Sequence, residues 1–150
     1  MQAVPLYAGF SMRRSHLIVG LLGVAAFLAS GQYMDLAYNH LRGLDNTTRM
    51  LFRSTHIYLL FAALLNMALG LYVVAVPPGW RCWLQRGGSF LVFVAPFLLA
   101  VAFLTEPWLS GLDRPYSRPA IYGSVAGLVF HLASSWPRRQ AKPSARIPPE

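Results

Sequence analysis

Few side chains in this sequence could do chemistry, and most of them fall on helix stripes. Gln32, Asp35, Asn39 and Arg42 recur three, four and three residues apart, which draws one face of an α-helix. Arg49, Arg53 and His56, spaced four and three, draw a second. Gly43-Leu44-Asp45 between them reads as a turn, with Asp45 or Asn46 placed to cap the next helix. If the turn centres on Leu44, positions equally distant from it lie at one depth. Asn39 then faces Arg49, Asp35 faces Arg53 and Gln32 faces His56, a donor opposite an acceptor at every rung.

Two uses of such a ladder are open. It can lock the hairpin, since a paired Asp and Arg in a nonpolar setting cost less than either charge alone. It can also form a polar pocket for a small ligand, a proton or a quinone headgroup. Structural locking is the simpler reading.

The histidines suggest a second chemistry. Two histidines from different helices of a bundle are the minimum for a b-type haem, and His56 and His131 are the best candidate ligands. His16 and His131 could also meet on one side of the bundle, with His40 and His56 toward the other. No Cys-x-x-Cys-His attachment sequence is present. Copper held by histidine and methionine is weaker still, because Met12, Met34, Met50 and Met67 show no clustered spacing. The single cysteine, Cys82, makes neither an internal disulfide nor a metal site. A nucleophile–base–orienter arrangement is not visible, so no enzyme is expected.

The elements that would position these groups follow from composition. Hydrophobic residues make up 55% of the 150, and charged residues only 12%, about half the share in a soluble domain. The apolar residues lie in long blocks rather than in amphipathic stripes. A helix needs roughly 17–25 such residues to cross a bilayer, and four blocks qualify: about 17–36, 56–76, 89–105 and 120–136. Pro77-Pro78-Gly79, Glu106-Pro107 and Pro137 end the last three. Backbone groups in lipid must bond within their own segment, so the blocks are helices. The expected fold is therefore an all-α membrane protein, a bundle of four transmembrane helices over 1–136. Its first two helices form a long antiparallel hairpin, from about Arg13 to Arg42 and from Asn46 to Ala75. Residues 137–150, basic and rich in proline, read as a disordered tail. Ala29-Ser30-Gly31 loosely fits a leader cleavage site, but the apolar run continues beyond it, so the block is taken as a span.

With four spans, eight Lys and Arg fall on the side of the two termini and five on the other, out of 13 in all. The positive-inside rule places both termini in the cytoplasm, as in a bacterial inner membrane. Trp80, Trp83, Trp108 and Trp136 fall near span ends, where an aromatic belt belongs.

Three smaller features complete the pattern. Gly123, Gly127 and His131, each four apart, form a small-residue strip for close helix packing, and Gly20, Gly23 and Gly70 could supply matching surfaces. Pro96 falls within the third span and should kink it or leave a backbone carbonyl unbonded. The stiff loop from Glu106 to Pro119 could cap the outer end of the bundle.

The expected partners are lipid and either further copies of the chain or a larger membrane complex. Nucleic acid is not expected. The function that fits is a structural or accessory subunit of such a complex. A haem-carrying electron-transfer subunit and a transporter component are the alternatives.

Overall fold

The computed structural model describes residues 6–74, 76–109 and 111–136, with side chains from 12 onward. The expected tail 137–150 lies outside the described residues. Four α-helices run Leu6–Tyr38 (α1), Asn46–Tyr72 (α2), Trp80–Thr105 (α3) and Ser117–Ser135 (α4), with a short 3-10 turn over Glu106–Trp108. The described residues contain no strand.

The boundaries follow the expected breakers, and the main departure lies in the first hairpin. Asp45 caps α2, its carboxylate accepting from the Thr48 amide at 3.0 Å. Proline sits at the third position of α4, where a missing amide proton costs nothing. The departure is at the end of α1, which stops at Tyr38 instead of continuing to Arg42. Asn39, His40 and Leu41 have φ of 44°, 59° and 64°, a left-handed run that an α-helix cannot contain. Leu41 is driven inward by that turn and is 3% exposed, packed with Phe52 and Phe103. Burial of that side chain helps offset the backbone conformation. At its other end α2 stops at Tyr72, short of the expected Ala75.

α1 pairs along α2, and α4 along α3. α2 and α3 join the two hairpins, so α1 and α4 lie on opposite sides of a central pair. Close approach is built into both hairpins. A Cβ added to Gly88 would stand 2.7 Å from the Gly127 carbonyl, and one added to Gly127 the same distance from the Gly88 carbonyl, so α3 and α4 meet backbone to backbone. On the α1–α2 seam, a Cβ on Gly70 would meet the Leu17 side chain at 2.5 Å and its backbone nitrogen at 2.9 Å. Gly127 is therefore occupied inside the chain. Gly123 has only Leu91 nearby, at 3.8 Å.

Three segments are long and apolar enough to cross a membrane: Met12–Tyr38, Asn46–Tyr72 and Trp80–Trp108. α4, with 19 residues that include Arg118, Ser124 and His131, does not reach that mark, although four spans are expected from the sequence. Large apolar side chains face outward on every helix, among them Leu21, Leu28, Ile57, Phe61, Phe90, Leu104, Val129 and Leu132. The expected belt residues Trp80, Trp83, Trp108 and Trp136 are all exposed. A helical membrane bundle is the fold these features describe.

Candidate functional site

The polar groups that the bundle gathers are not those of the expected ladder. Each helix contributes one buried residue to an internal layer: His16 from α1, Asn66 from α2, Ser89 from α3 and His131 from α4. Pro96 explains the centre of it. A proline has no amide proton, so the carbonyl four residues earlier loses its helical partner. That carbonyl belongs to Val92, and the Asn66 side-chain nitrogen donates to it at 2.8 Å. The same nitrogen donates to Ala62 O at 2.9 Å, while the Asn66 oxygen accepts from His16 Nδ1 at 2.8 Å. An amide oxygen cannot donate, so His16 carries a proton on Nδ1. One side chain of α2 thus closes a gap in α3 and holds a histidine of α1.

Ser89 extends the layer to α4. Its hydroxyl lies 3.1 Å from His131 Nε2 and 3.3 Å from the Met12 sulfur. The hydroxyl has one proton to give, so it donates either to the ring or to the sulfur. His131 O is also used, accepting from Ser134 and Ser135 hydroxyls. A groove of about 210 Å³ opens beside this layer, lined by Met12, Ser15, His16, Ser89, Phe90 and Phe93.

His56 belongs to another level. Its Nδ1 lies 2.8 Å from Ser30 Oγ, and its ring stacks on Phe27 with centroids 4.1 Å apart. Ten residues of α2 separate His56 from Asn66, which is about 15 Å along the helix. His56 and His131 therefore lie at different depths and face different seams, and one iron cannot reach both. His16 and His131, by contrast, do lie in the same layer. The methionines are dispersed: Met12 on Ser89, Met34 against the Leu41 cluster, Met67 beside Gly20 and Met50 exposed. Among the described residues no three His, Cys, Asp or Glu side chains gather as a metal site would require.

The three expected rungs do not form. Asp35 pairs with His40 at 2.8 Å, not with Arg53. Arg49 donates to Leu44 O at 2.9 Å rather than to Asn39. Gln32, Asn39 and Arg53 are exposed, and His56 turns to Ser30 instead of Gln32. The hairpin itself is present, but its register differs by one residue: Gly31, not Gln32, lies level with His56. One residue rotates a helix face by about 100°, which carries the polar stripe of α1 off the seam. The left-handed turn then brings His40 back over Asp35.

The loop after α3 does cap that end. Thr48 donates to Pro107 O at 3.3 Å, and Trp108 packs on Tyr38 and Phe52. Glu106 is fully buried, and its Oε1 accepts the amide protons of Tyr116 and Ser117 at 2.9 and 2.7 Å. The carboxylate thereby holds the start of α4 and complements its dipole. Sequence reasoning placed Glu106 in the loop without this role. Nothing in the sequence signalled it, because Glu106 stands 10 and 11 residues before the amides it binds, too far for an ordinary cap.

At the opposite end Arg13 donates to Gly70 O and Leu71 O at 3.1 and 2.6 Å, closing the carbonyl end of α2 with a positive charge. Gln85 bridges the breaker loop, donating to Val74 O at 2.7 Å and accepting from Val76 N at 3.2 Å.

No known protein family, curated protein or solved structure matches the chain.

Proposed function

We propose that the chain is a small integral membrane protein that crosses the bilayer four times and serves as a structural or accessory subunit of a larger membrane assembly. The observation that carries this reading is the outer face of α1. Ile18, Leu21, Leu22 and Leu28 are all more than half exposed, and α1 leaves more of its apolar length uncovered than α2 or α3. Two of its polar groups, meanwhile, are engaged inside the chain: His16 with Asn66, and Ser30 with His56. A helix locked by its polar side and bare on its apolar side is suited to sit against a membrane partner. α4 crosses as well in this reading, because Val125, Val129 and Leu132 present the same kind of outward surface. The count of basic residues, eight against five, favours both termini on the cytoplasmic face of a bacterial inner membrane.

Blue-native sizing of protein extracted gently from its own membrane tests this. A band well above one protomer, reduced by Leu21→Ser and Leu28→Ser together, is expected. A lone protomer under those conditions overturns the reading. An absorption spectrum of the same sample, expected to lack a Soret band, distinguishes it from a haem-carrying subunit.

A further inference from the structure

From the start of α4 we infer a binding site for a phosphate group. A pocket of about 110 Å³ opens there, lined by Tyr58 of α2 and by Arg114, Ser117, Arg118, Ile121 and Tyr122. Its size suits one tetrahedral anion. Arg118 N donates to Arg114 O at 3.4 Å, and this turn sets the two basic residues one above the other. Among the described residues neither guanidinium has an ion pair or a hydrogen bond. Two like charges beside one pocket repel each other, and an anion between them removes that repulsion. Guanidinium groups also match phosphate oxygens in fork geometry.

Ser117 supplies the independent sign. Its side chain is 1% exposed, and its hydroxyl is buried without a partner. A buried hydroxyl left unbonded costs about 1–3 kcal/mol, and turning its rotamer toward a ligand oxygen in the pocket this residue lines would satisfy it. Tyr58 and Tyr122, also in the lining, carry phenols that can donate. Backbone amides are not the main binding element, because Glu106 already takes those of Tyr116 and Ser117. The site therefore rests on side chains of α2, the loop and α4.

In the four-span reading proposed above, on which this placement rests, Arg114, Ser117 and Arg118 stand at the membrane-surface end of α4, which puts the mouth of the pocket at the level of lipid headgroups. A phosphodiester of an anionic lipid and a free phosphate in the aqueous phase offer the same chemistry, and one experiment separates them. The full chain is reconstituted in nanodiscs with equal phosphatidylglycerol and phosphatidylcholine, and retained lipid is read by native mass spectrometry. In parallel, inorganic phosphate is titrated into detergent-solubilised chain and followed by phosphorus NMR. Selective retention of phosphatidylglycerol with a silent phosphate titration assigns the lipid. A saturable phosphate shift without lipid selectivity assigns the free anion, and both together mean a site open to either.

In each supporting case R114Q/R118Q weakens binding about thirtyfold, and S117A weakens it by a smaller factor. Arg42→Gln, an exposed charge at the same end, leaves binding unchanged. Neither lipid selectivity nor a phosphate shift in the wild type overturns the inference, even if the double variant fails to fold. Equal loss in Arg42→Gln and Arg118→Gln also overturns it, since bulk charge would then suffice.

Discussion

The buried layer and the turn end of the bundle use polar residues in opposite ways. In the layer, His16, Asn66, Ser89 and His131 bond across helices and are almost wholly enclosed. At the turn end, Asp35 pairs with His40 five residues away, Arg49 with Leu44 five residues away, and Arg53 extends outward. The first arrangement ties helices together, whereas the second is local and leaves the helices free of it. Abundance of charge is thus a poor guide to what holds this bundle. The enclosed residues of the layer carry more structure than the charged stripe at the turn end.

The sharpest way to break this contrast is at Gly127. Gly127→Leu forces apart two backbones in van der Waals contact and should cost about 3 kcal/mol or more. Gly123→Leu, four residues away on the same helix, should stay within about 0.5 kcal/mol. Thermal unfolding in detergent followed by circular dichroism reads both. Equal effects would mean that α3 and α4 do not meet as described.

Asn66 comes next. Asn66→Leu strands the Val92 carbonyl and His16 Nδ1, and a loss of about 1–3 kcal/mol is expected. Pro96→Ala tests the cause, because alanine returns an amide proton to Val92 O. In that background Asn66→Leu should cost less, with a coupling near 1 kcal/mol in the double-mutant cycle. Purely additive losses would show that Asn66 and Pro96 act independently.

Asp45 gives a smaller, pH-dependent effect. Its bonds to Thr48 hold the carboxyl below its usual value in the folded chain. A lowered folded pKa means that its stabilisation is present above the unfolded value and is lost as pH falls through the folded one. Asp45→Ala should therefore lower the melting temperature at pH 7 and make no difference below both values. A constant gap between the two proteins across this range would contradict the capping role. Arg53→Gln comes last, expected within about 0.5 kcal/mol because the side chain is exposed and makes no described bond. A large loss there would restore the charged ladder to importance.

How far the residues could be read in advance follows from the same contrast. The apolar blocks and their breakers are long-range signals, and the helix order, a cap at Asp45 or Asn46 and the Gly43–Asp45 turn region were legible in the sequence. Register was not. It depends on three residues in left-handed conformation; Asn39 and His40 are of types enriched there, but only weakly beside glycine, and Leu41 carries no such signal, so the run is not announced. The polar layer was half legible: Pro96 implies an open carbonyl at Val92, and Asn66 falls well inside the expected span 56–76. Their union required knowing which faces of α2 and α3 meet. Ser89 gave no signal, since a lone serine at a span boundary is ordinary.

The bond from Asn66 to Val92 also orders the assembly of the chain in time. Synthesis proceeds from the amino end, so α2 enters the bilayer while α3 is still being made. When α3 follows, its unbonded carbonyl meets an amide donor already in place, and the earlier hairpin acts as a template for the later one. The opposite sequence would expose a bare acceptor to hydrocarbon with nothing yet inserted to receive it.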